Sequence, residues 1–381
     1  MAGLYIHIPF CTQRCIYCDF YSNTQLEYKE AYLTALLREM EIRKDAWKDE
    51  IFETIYIGGG TPSLLQSHEL NQLFKAIYHH FTVSGHPEIT IEANPDDLSG
   101  NYVSLLKTLP INRISIGIQS FDDRYLQLLN RRHTAQEAID AVERCKEAGF
   151  SNLSIDLIYG LPDQTVSEWS QTLDKAIALA VPHVSAYHLT YEEGTIIQQM
   201  MENKAIHSVD EDTSEALFRL LIKKLTAADF VQYEISNFAL RSSGYPLGRI
   251  SLHNSSYWKS VPYLGLGASA HSYDGASRSW NVSSLTEYIN AIHENRDSFH
   301  ETEWLNPHAK YNEYIMTRLR TVWGISLDEL RREFGEELET HFRTKMEPLI
   351  YRKKLKLQGN NVKVSYEGLL ITNAIVLELI V

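Results

Sequence analysis

Three cysteines follow a short apolar stretch near the start of the chain, in the segment Leu4-Tyr5-Ile6-His7-Ile8-Pro9-Phe10-Cys11-Thr12-Gln13-Arg14-Cys15-Ile16-Tyr17-Cys18. Spacings of four and three residues let one compact loop place three thiolates around a small metal centre, and soft thiolates select iron–sulfur clusters or zinc. A cluster held by three cysteines leaves one iron open to an external ligand. Structural zinc is the alternative. Because structural zinc normally has four protein ligands and no open position, His7 would have to be the fourth ligand.

Composition narrows the class of protein. The 381 residues include 44% hydrophobic and 22% charged residues, as in a globular protein that buries a sizeable core. Three of the four cysteines lie in the one cluster, which disfavours a disulfide framework and indicates metal ligands in a reducing compartment. The fourth, Cys145, lies in a stretch with helical periodicity and is predicted to be a small buried hydrophobe.

Charge and hydropathy exclude two further classes. The formal net charge of −13 disfavours nucleic acid as the main partner, because binding to a phosphate backbone relies on Lys and Arg. Uninterrupted apolar runs of about 18 residues are absent from the sequence, so we expect no transmembrane segment and a cytoplasmic protein.

Strands and helices alternate along the first 230 residues. Short apolar, β-branched runs predict buried strands at residues 4–9, 54–57, 88–93, 113–119, 153–158 and 184–189. Helical periodicity predicts helices at residues 28–47, 69–80, 97–109, 135–148, 168–180 and 212–228. The alternation requires parallel strands with right-handed crossovers, in either an open doubly wound sheet or a full or partial barrel. Polar and Gly-rich residues follow the strands, so we expect a site at their carboxyl ends.

The alternation stops beyond residue 230. Residues 233–280 are rich in Gly, Ser, Asn and aromatic residues, which predicts loops and short strands. Helices are predicted at 327–334 and 337–350, followed by a hairpin in which runs 355–357 and 362–364 flank Gln-Gly-Asn-Asn. We therefore predict a barrel-type domain at 1–230, an irregular connecting segment at 231–300, and a smaller, mainly helical, winged-helix-like domain at 301–381.

The Cys-x3-Cys-x2-Cys loop after the first strand of a strand–helix repeat resembles the signature of the radical SAM superfamily. The resemblance implies a partial (β/α)6 barrel with a [4Fe–4S] cluster on Cys11, Cys15 and Cys18. It also implies S-adenosylmethionine on the open iron and an electron donor for the cluster. In that superfamily, reductive cleavage of the cofactor yields a 5′-deoxyadenosyl radical.

Further positions match the cofactor site of that superfamily. Gly59 and Gly60 offer backbone that can approach a polar ligand closely, although Thr61-Pro62 is also an ordinary helix start. Four further polar residues come from or follow successive strands, and a barrel would aim them at one mouth. Each alone is better interpreted as a satisfied polar residue or a helix cap, but the set of four favours a binding site. By resemblance, Gly59, Gly60 and Thr61 hold the methionyl end of the cofactor, Glu92, Gln119, Arg131 and Asp156 contact its methionine or ribose, and Tyr5 lies beside the cluster.

Longer blocks are similar to the oxygen-independent coproporphyrinogen III oxidase group, which includes the HemN enzymes and the HemW haem chaperones. These blocks are residues 6–11, 58–63, 115–121 and 156–163. In HemN a fourth cysteine follows two residues after the third, and a long segment precedes the cluster; here that position is Phe20, and Tyr5 already belongs to the first strand. His253-Asn254-Ser255-Ser256-Tyr257-Trp258 resembles the His-Asn-x-x-Tyr-Trp motif of HemW.

The HemW resemblance implies a chaperone that binds haem or a related porphyrin and passes haem to an acceptor protein. The alternative is radical decarboxylation of coproporphyrinogen III to protoporphyrinogen IX, so whether the protein is an enzyme stays open. His253 is the haem-ligand candidate, since haem iron accepts a neutral imidazole. His253 and Asn254 could equally hydrogen-bond a loop, and His7, His188 and His271 are rival ligands.

The C-terminal unit carries a basic group of residues beside its hairpin. Arg352, Lys353, Lys354 and Lys356 are best interpreted as a solvated face on an acidic protein. We expect this unit to cap the barrel mouth or to offer a surface to the haem acceptor.

Overall fold

The computed structural model describes residues 1–242 and 247–381 of the chain. Six parallel strands form its centre, in the spatial order in which they occur in the sequence. They are β1 (Ala2–Ile8), β2 (Ile51–Gly59), β3 (Thr82–Ala93), β4 (Arg113–Gln119), β5 (Leu153–Tyr159) and β6 (His183–His188). The α/β class, the parallel strands and all six predicted strand positions are confirmed.

Helices connect and follow these strands. They are α1 (Lys29–Arg43), α2 (Ser67–His80), α3 (Gly100–Lys107), α4 (Asp123–Leu128), α5 (Ala135–Glu147), α6 (Val166–Ala178), α7 (Ile196–Glu202) and α8 (Glu211–Ala227). Capping boxes begin α5 and α6, among others: the Thr134 and Thr165 side chains accept from the N3 backbone, and Glu137 and Glu168 reach back to the cap residues. The Cys145 side chain is fully buried in α5, as its helical periodicity predicts.

The strands and helices bury one continuous apolar core. The wall residues of β1 that face the helices, such as Leu4, Ile6 and Ile8, are fully buried, while the residues between them face the barrel interior. Buried polar residues of the other parallel strands, such as Thr90, Ser115 and Ser154, lie in this interior. This arrangement leads to a polar site at the carboxyl ends of β1 to β6.

Residues 231–300, expected to be an irregular connecting segment, extend the same sheet with short strands. The elements here are β7 (Phe230–Gln232), β8 (Asn237–Leu240), α9 (Leu252–Trp258), β9 (Tyr263–Leu266), β10 (His271–Tyr273), β11 (Ser277–Asn281), α10 (Leu285–His293) and β12 (His300–Trp304). Within the described residues, β9 pairs in parallel with β1, whereas β8 pairs antiparallel with β6. The segment therefore continues the wall of the partial barrel on both sides.

The C-terminal unit has its own apolar core, in which Tyr311, Ile315 and Phe342 are buried. Its elements are α11 (Pro307–Arg318), β13 (Ile325–Ser326), α12 (Leu327–Tyr351), β14 (Leu355–Gln358), β15 (Asn361–Val364) and α13 (Thr372–Leu379). A non-helical Gly335 (φ 85°) divides α12 into the two predicted helices. β14 and β15 form the predicted hairpin, and β13 adds a third strand to it.

Across residues 1–242 and 247–381, no helix combines the length and the apolar character that crossing a membrane requires.

Candidate functional site

The three clustered cysteines lie on the loop that follows β1 and line a cavity of about 580 Å³, here called the cysteine cavity. Backbone hydrogen bonds fix the loop at its start, where Cys11 N–H donates to the Asn23 carbonyl (2.9 Å). Asn130 fixes the middle of the loop, because its side chain donates to the Arg14 carbonyl (2.9 Å). The thiols of Cys11, Cys15 and Cys18 are free and face one space.

Polar donors surround the thiols. The Thr61 hydroxyl lies 3.4 Å from Cys11 Sγ, and Arg131 Nη1 lies 3.3 Å from Cys15 Sγ. Burial raises the pKa of the Cys11 and Cys18 thiols, so both stay protonated until a metal displaces the proton. Three thiolate donors with a cation and a hydroxyl beside them suit an iron–sulfur cluster, which hydrogen bonds to sulfur help to stabilise.

The side-chain geometry of the described residues disfavours the zinc alternative. Among the described residues, no three His, Cys, Asp or Glu side chains converge as they would around a single ion. Thiolates around a multi-iron cluster bind different irons, so they need not meet at one point. His7, the proposed fourth ligand, points away from the cysteines: its Nε2 contacts the Tyr21 carbonyl at 2.9 Å, and its Nδ1 contacts the Tyr5 hydroxyl at 2.9 Å.

The glycine segment at the end of β2 lies beside the cysteines. A Cβ on Gly60 would lie 2.8 Å from the Phe10 carbonyl oxygen and 3.0 Å from Cys11 Sγ, so the close approach of the two loops requires glycine. Gly59 has a φ of +111° and lies against His7. Both glycines and Thr61 line the cysteine cavity, as the resemblance implies.

Two carboxylates of the barrel interior also line the cysteine cavity. Glu92 accepts a hydrogen bond from the Tyr56 hydroxyl (2.6 Å) and one from Gly59 N–H (3.0 Å). The Asp156 carboxylate accepts from the Ser115 hydroxyl (3.1 Å). Burial raises the pKa of Glu92 to about 7 and raises that of Asp156. Both carboxyl groups line the cysteine cavity and are available to a polar ligand.

Arg131 joins the end of β4 to the cysteine loop. Its Nη2 donates to Asn94 Oδ1 (2.7 Å) and to the Gly117 carbonyl (2.7 Å), while Nη1 faces Cys15. Gln119 ends β4 in a left-handed conformation (φ 68°) and, like Arg131, lines the cysteine cavity. The structure thus brings the predicted cofactor residues to the cysteines, with one exception: Tyr5 lines a neighbouring cavity.

Arg113 is an interior residue that the sequence does not single out. It begins β4, lies in register with Thr90 of β3, and is 1% exposed. In the described part of the chain its Nε and Nη1 atoms have no hydrogen-bond partner. Its positive charge lowers the pKa of both Glu92 and Asp156. Arg113 is therefore a buried cation placed below the two carboxylates of the cavity.

We expect the Glu92→Gln variant to lose the part of the pH dependence of the free energy of unfolding that comes from the Glu92 carboxyl group. Because the pKa of Glu92 is about 7 in the folded chain and 4.5 ordinarily, the stability linked to its proton is complete below pH 4.5 and is lost as the pH rises through 7. Between pH 5 and pH 8, the free energy of unfolding of the wild type should fall by about 2 kcal/mol relative to the variant. Urea unfolding of both proteins across this range measures the difference, and parallel curves would contradict the assignment.

A second cavity of about 860 Å³, here called the aromatic cavity, adjoins the first. Its wall includes Tyr5, Tyr187, Tyr257, Trp258, Tyr263 and Tyr273. The C-terminal unit contributes Glu313 and Arg320, and Glu313 forms an ion pair with Arg278 of β11 (2.8 Å). Asp19, Phe20, Tyr187 and Asn254 line both cavities, so they form a shared wall between them.

The motif at α9 divides between the core and the aromatic cavity. His253 is 1% exposed; its Nδ1 bonds the Thr54 hydroxyl (2.8 Å), and its Nε2 bonds the Tyr257 hydroxyl (2.8 Å). Burial lowers the pKa of His253 to about 3. His253 lines neither of the two cavities. Asn254 lines both cavities, and Tyr257 and Trp258 line the aromatic cavity. In this conformation both ring nitrogens of His253 serve the fold.

Comparisons with known proteins agree with this architecture. Residues 5–176 match the Radical SAM superfamily, and residues 305–371 match the HemN C-terminal domain. The solved structure of coproporphyrinogen III oxidase (HemN) from Escherichia coli superposes with a TM-score of 0.85 at 21% identity, covering 99% of this chain and 89% of that one. This likeness establishes the shared fold.

Curated relatives identify the family. The heme chaperone HemW of Bacillus subtilis is 33% identical over 98% of this chain and 98% of its own length. The heme chaperone HemW of Lactococcus lactis is 32% identical, over 96% of this chain and 93% of its own. Together with the radical SAM match and the HemN-like fold, these relatives show that the chain belongs to the HemW family of radical SAM proteins.

Proposed function

We propose that the protein is a haem chaperone with a [4Fe–4S] cluster and S-adenosylmethionine in the cysteine cavity and haem as its cargo in the aromatic cavity. The observation that carries the proposal is the position of the aromatic cavity, which shares a wall with the cysteine cavity. Haem is proposed as the cargo because the relatives from Bacillus subtilis and Lactococcus lactis are both named heme chaperones.

The cysteine cavity would hold the cofactors through residues already in place. Cys11, Cys15 and Cys18 would ligate the cluster, which supplies an open iron for the cofactor when bound. The unblocked backbone of Gly59 and Gly60, with Thr61, would face the methionyl group. Glu92 and Asp156 are hydrogen-bond acceptors for ammonium or ribose hydroxyls, and Arg131 and Gln119 donate to acceptor atoms. An electron donor protein would serve the cluster.

The aromatic cavity suits a flat, mostly apolar ligand that carries carboxylates. Its volume of about 860 Å³ lies within the range typical of small-molecule sites. Its aromatic side chains offer flat apolar surface to a macrocycle. Arg278 and Arg320 line the same cavity, and guanidinium groups recognise carboxylates such as the propionates of haem.

Phe20 favours the chaperone over the decarboxylase. It occupies the position of the fourth HemN cysteine, is 72% exposed, and lies in the wall between the two cavities. An apolar ring at that point can contact a bound macrocycle but cannot act as a thiol. The HemN-like fold keeps coproporphyrinogen decarboxylation as the second candidate.

Haem transfer needs a surface for an acceptor protein, and we assign this role to the C-terminal unit. Thr317 and Arg320, in and just beyond α11, line the aromatic cavity, so a partner that displaces this unit would reach the cargo. The Arg278–Glu313 ion pair joins the unit to the barrel at the cavity.

The proposal predicts haem binding without decarboxylation. After anaerobic reconstitution with iron and sulfide, the protein should bind about one haem per chain, and incubation with coproporphyrinogen III, S-adenosylmethionine and a reductant should give no protoporphyrinogen IX. Optical titration with haem and chromatographic analysis of the porphyrins measure the two outcomes. Sustained formation of protoporphyrinogen IX would replace the chaperone by the decarboxylase.

A further inference from the structure

We infer that His271 is the side chain of this protein that ligates the iron of the bound haem. The inference rests on the proposed function, because it assumes that haem occupies the aromatic cavity. It concerns a residue outside the His-Asn-x-x-Tyr-Trp motif.

The sequence around β10 turns His271 toward the aromatic cavity. Ser272 points to the buried side, where its hydroxyl accepts from Gly265 N–H at 3.0 Å. Because side chains alternate along a strand, His271 and Tyr273 point to the opposite side, and both line the aromatic cavity. Gly265 permits this placement, since a Cβ there would lie 2.0 Å from the His271 carbonyl oxygen. Any other residue at position 265 would displace the strand.

The rival histidines use their ring nitrogens in the fold. His253 bonds Thr54 and Tyr257, and His7 contacts the Tyr5 hydroxyl and the Tyr21 carbonyl. His188 lines the cysteine cavity instead, where its nitrogens contact the Leu189 carbonyl (2.8 Å) and the Ser214 hydroxyl (3.1 Å). Iron binding by any of them would break at least one internal hydrogen bond.

His271 differs from these histidines in the hydrogen bonding of its ring. Among the described residues its ring nitrogens make no hydrogen bond, and the side chain is exposed to the aromatic cavity. Burial and the nearby Arg278 lower the pKa of His271, which favours the neutral imidazole that iron requires. Trp280, its cross-strand partner, packs beside it with ring centroids 6.1 Å apart and so restricts the orientation of the imidazole.

The neighbours of His271 complete a site for a macrocycle. Tyr263 and Tyr273 border the same cavity, and Arg278 lies opposite Tyr273 on the paired strand β11. An iron ligand, aromatic surface and a guanidinium for a propionate thus come from adjacent strands β9, β10 and β11. A rigid sheet holds such a set in place better than a loop would.

The test compares spectra and haem affinity of the wild type with those of four variants in the full chain. His271→Ala should lose the imidazole-ligated signals in electron paramagnetic resonance and magnetic circular dichroism, and its haem affinity should fall by about tenfold or more. Added free imidazole should restore the signals in His271→Ala. His271→Met should bind haem with a thioether-type spectrum, which a merely structural role would not produce.

Two matched histidine variants serve as controls. His253→Gln removes the motif histidine, and His207→Ala removes an exposed histidine that lines neither cavity. Both should keep the wild-type haem spectrum. An unchanged imidazole spectrum in His271→Ala, or its loss in His253→Gln with His271 intact, would overturn the assignment. Absence of haem binding by the wild type would instead refute the proposed function, and with it the inference.

Discussion

Replacement of Cys15 by alanine is expected to leave the protein without its iron–sulfur cluster. After anaerobic reconstitution, the wild type should contain about four irons per chain and the variant almost none, because two thiolates cannot retain a cluster that three hold. S-adenosylmethionine affinity should fall by more than the roughly 10–100-fold typical of changes around a metal site, since the open iron is lost with the cluster. Iron and sulfide analysis and calorimetric titration under anaerobic conditions measure both effects.

Cys15 is the informative position among the three. Cys11 is 9% exposed and its sulfur packs against Gly60, so its replacement would also disturb the packing between two loops. Cys15 is half-buried, and removal of its sulfur breaks the hydrogen bond from Arg131 Nη1 (3.3 Å) without opening a gap between two packed loops. A changed circular dichroism spectrum is therefore not expected for Cys15→Ala.

Cys145→Ala is the matched control. Cys145 is fully buried in α5 and lines neither cavity, so this variant should keep the full iron content. Its free energy of unfolding should fall by about 1 kcal/mol, as for removal of a small buried group. A wild type that takes up one zinc per chain through the three cysteines, with no iron and sulfide, would refute the cluster.

The sequence predicts the barrel well because each buried strand carries its own signal. Parallel strands covered on both faces read as short apolar runs, and each of the six predicted runs overlaps a strand of the structure. The cysteine loop and Gly59-Gly60 are equally local features. Their proximity follows from the rule that loops at the carboxyl ends of neighbouring parallel strands meet.

The second half of the sheet depends on contacts that a local pattern does not encode. Residues 263–266 are four residues of glycine, leucine and tyrosine, and they become strand β9 only because β1 offers a free edge about 260 residues earlier in the chain. The choice between His253 and His271 depends on the same pairing. Each histidine precedes a tyrosine within four residues in the sequence, and only the sheet shows that His253 is enclosed whereas His271 faces a cavity.

Arg113 could not be identified from the sequence for a related reason. It begins an apolar strand, where a single arginine is typical of an exposed strand end. The fold instead encloses it at 1% exposure inside the barrel, and the described residues provide no partner for its Nε and Nη1 atoms. A buried cation without a salt bridge is costly unless nearby negative charges compensate for it. Glu92 and Asp156 are such charges, since Arg113 lowers the pKa of each.

We therefore expect Arg113→Met to impair cofactor binding in a pH-dependent way. Loss of the cation should raise the pKa of Glu92 above its present value of about 7 and raise that of Asp156 as well. Fewer chains would then hold both carboxylates ionised, so S-adenosylmethionine affinity should fall by about tenfold at pH 7, equivalent to a shift of one pKa unit. The pH at which affinity reaches half of its maximum should move upward.

Calorimetric titration of the reconstituted protein with S-adenosylmethionine between pH 6 and pH 9 measures this shift. Arg113→Lys retains the charge and should restore most of the wild-type profile, whereas Met has a similar length without charge. Arg113→Met removes the cost of burying a charge and also removes the attraction of that charge to the two carboxylates. Because these two effects oppose each other, the free energy of unfolding should change little. If Arg113 served only to fill the barrel, the variant would change stability and leave the midpoint of the pH profile in place. A shifted midpoint with intact folding would instead show that the barrel interior sets the charge of the cofactor site above it.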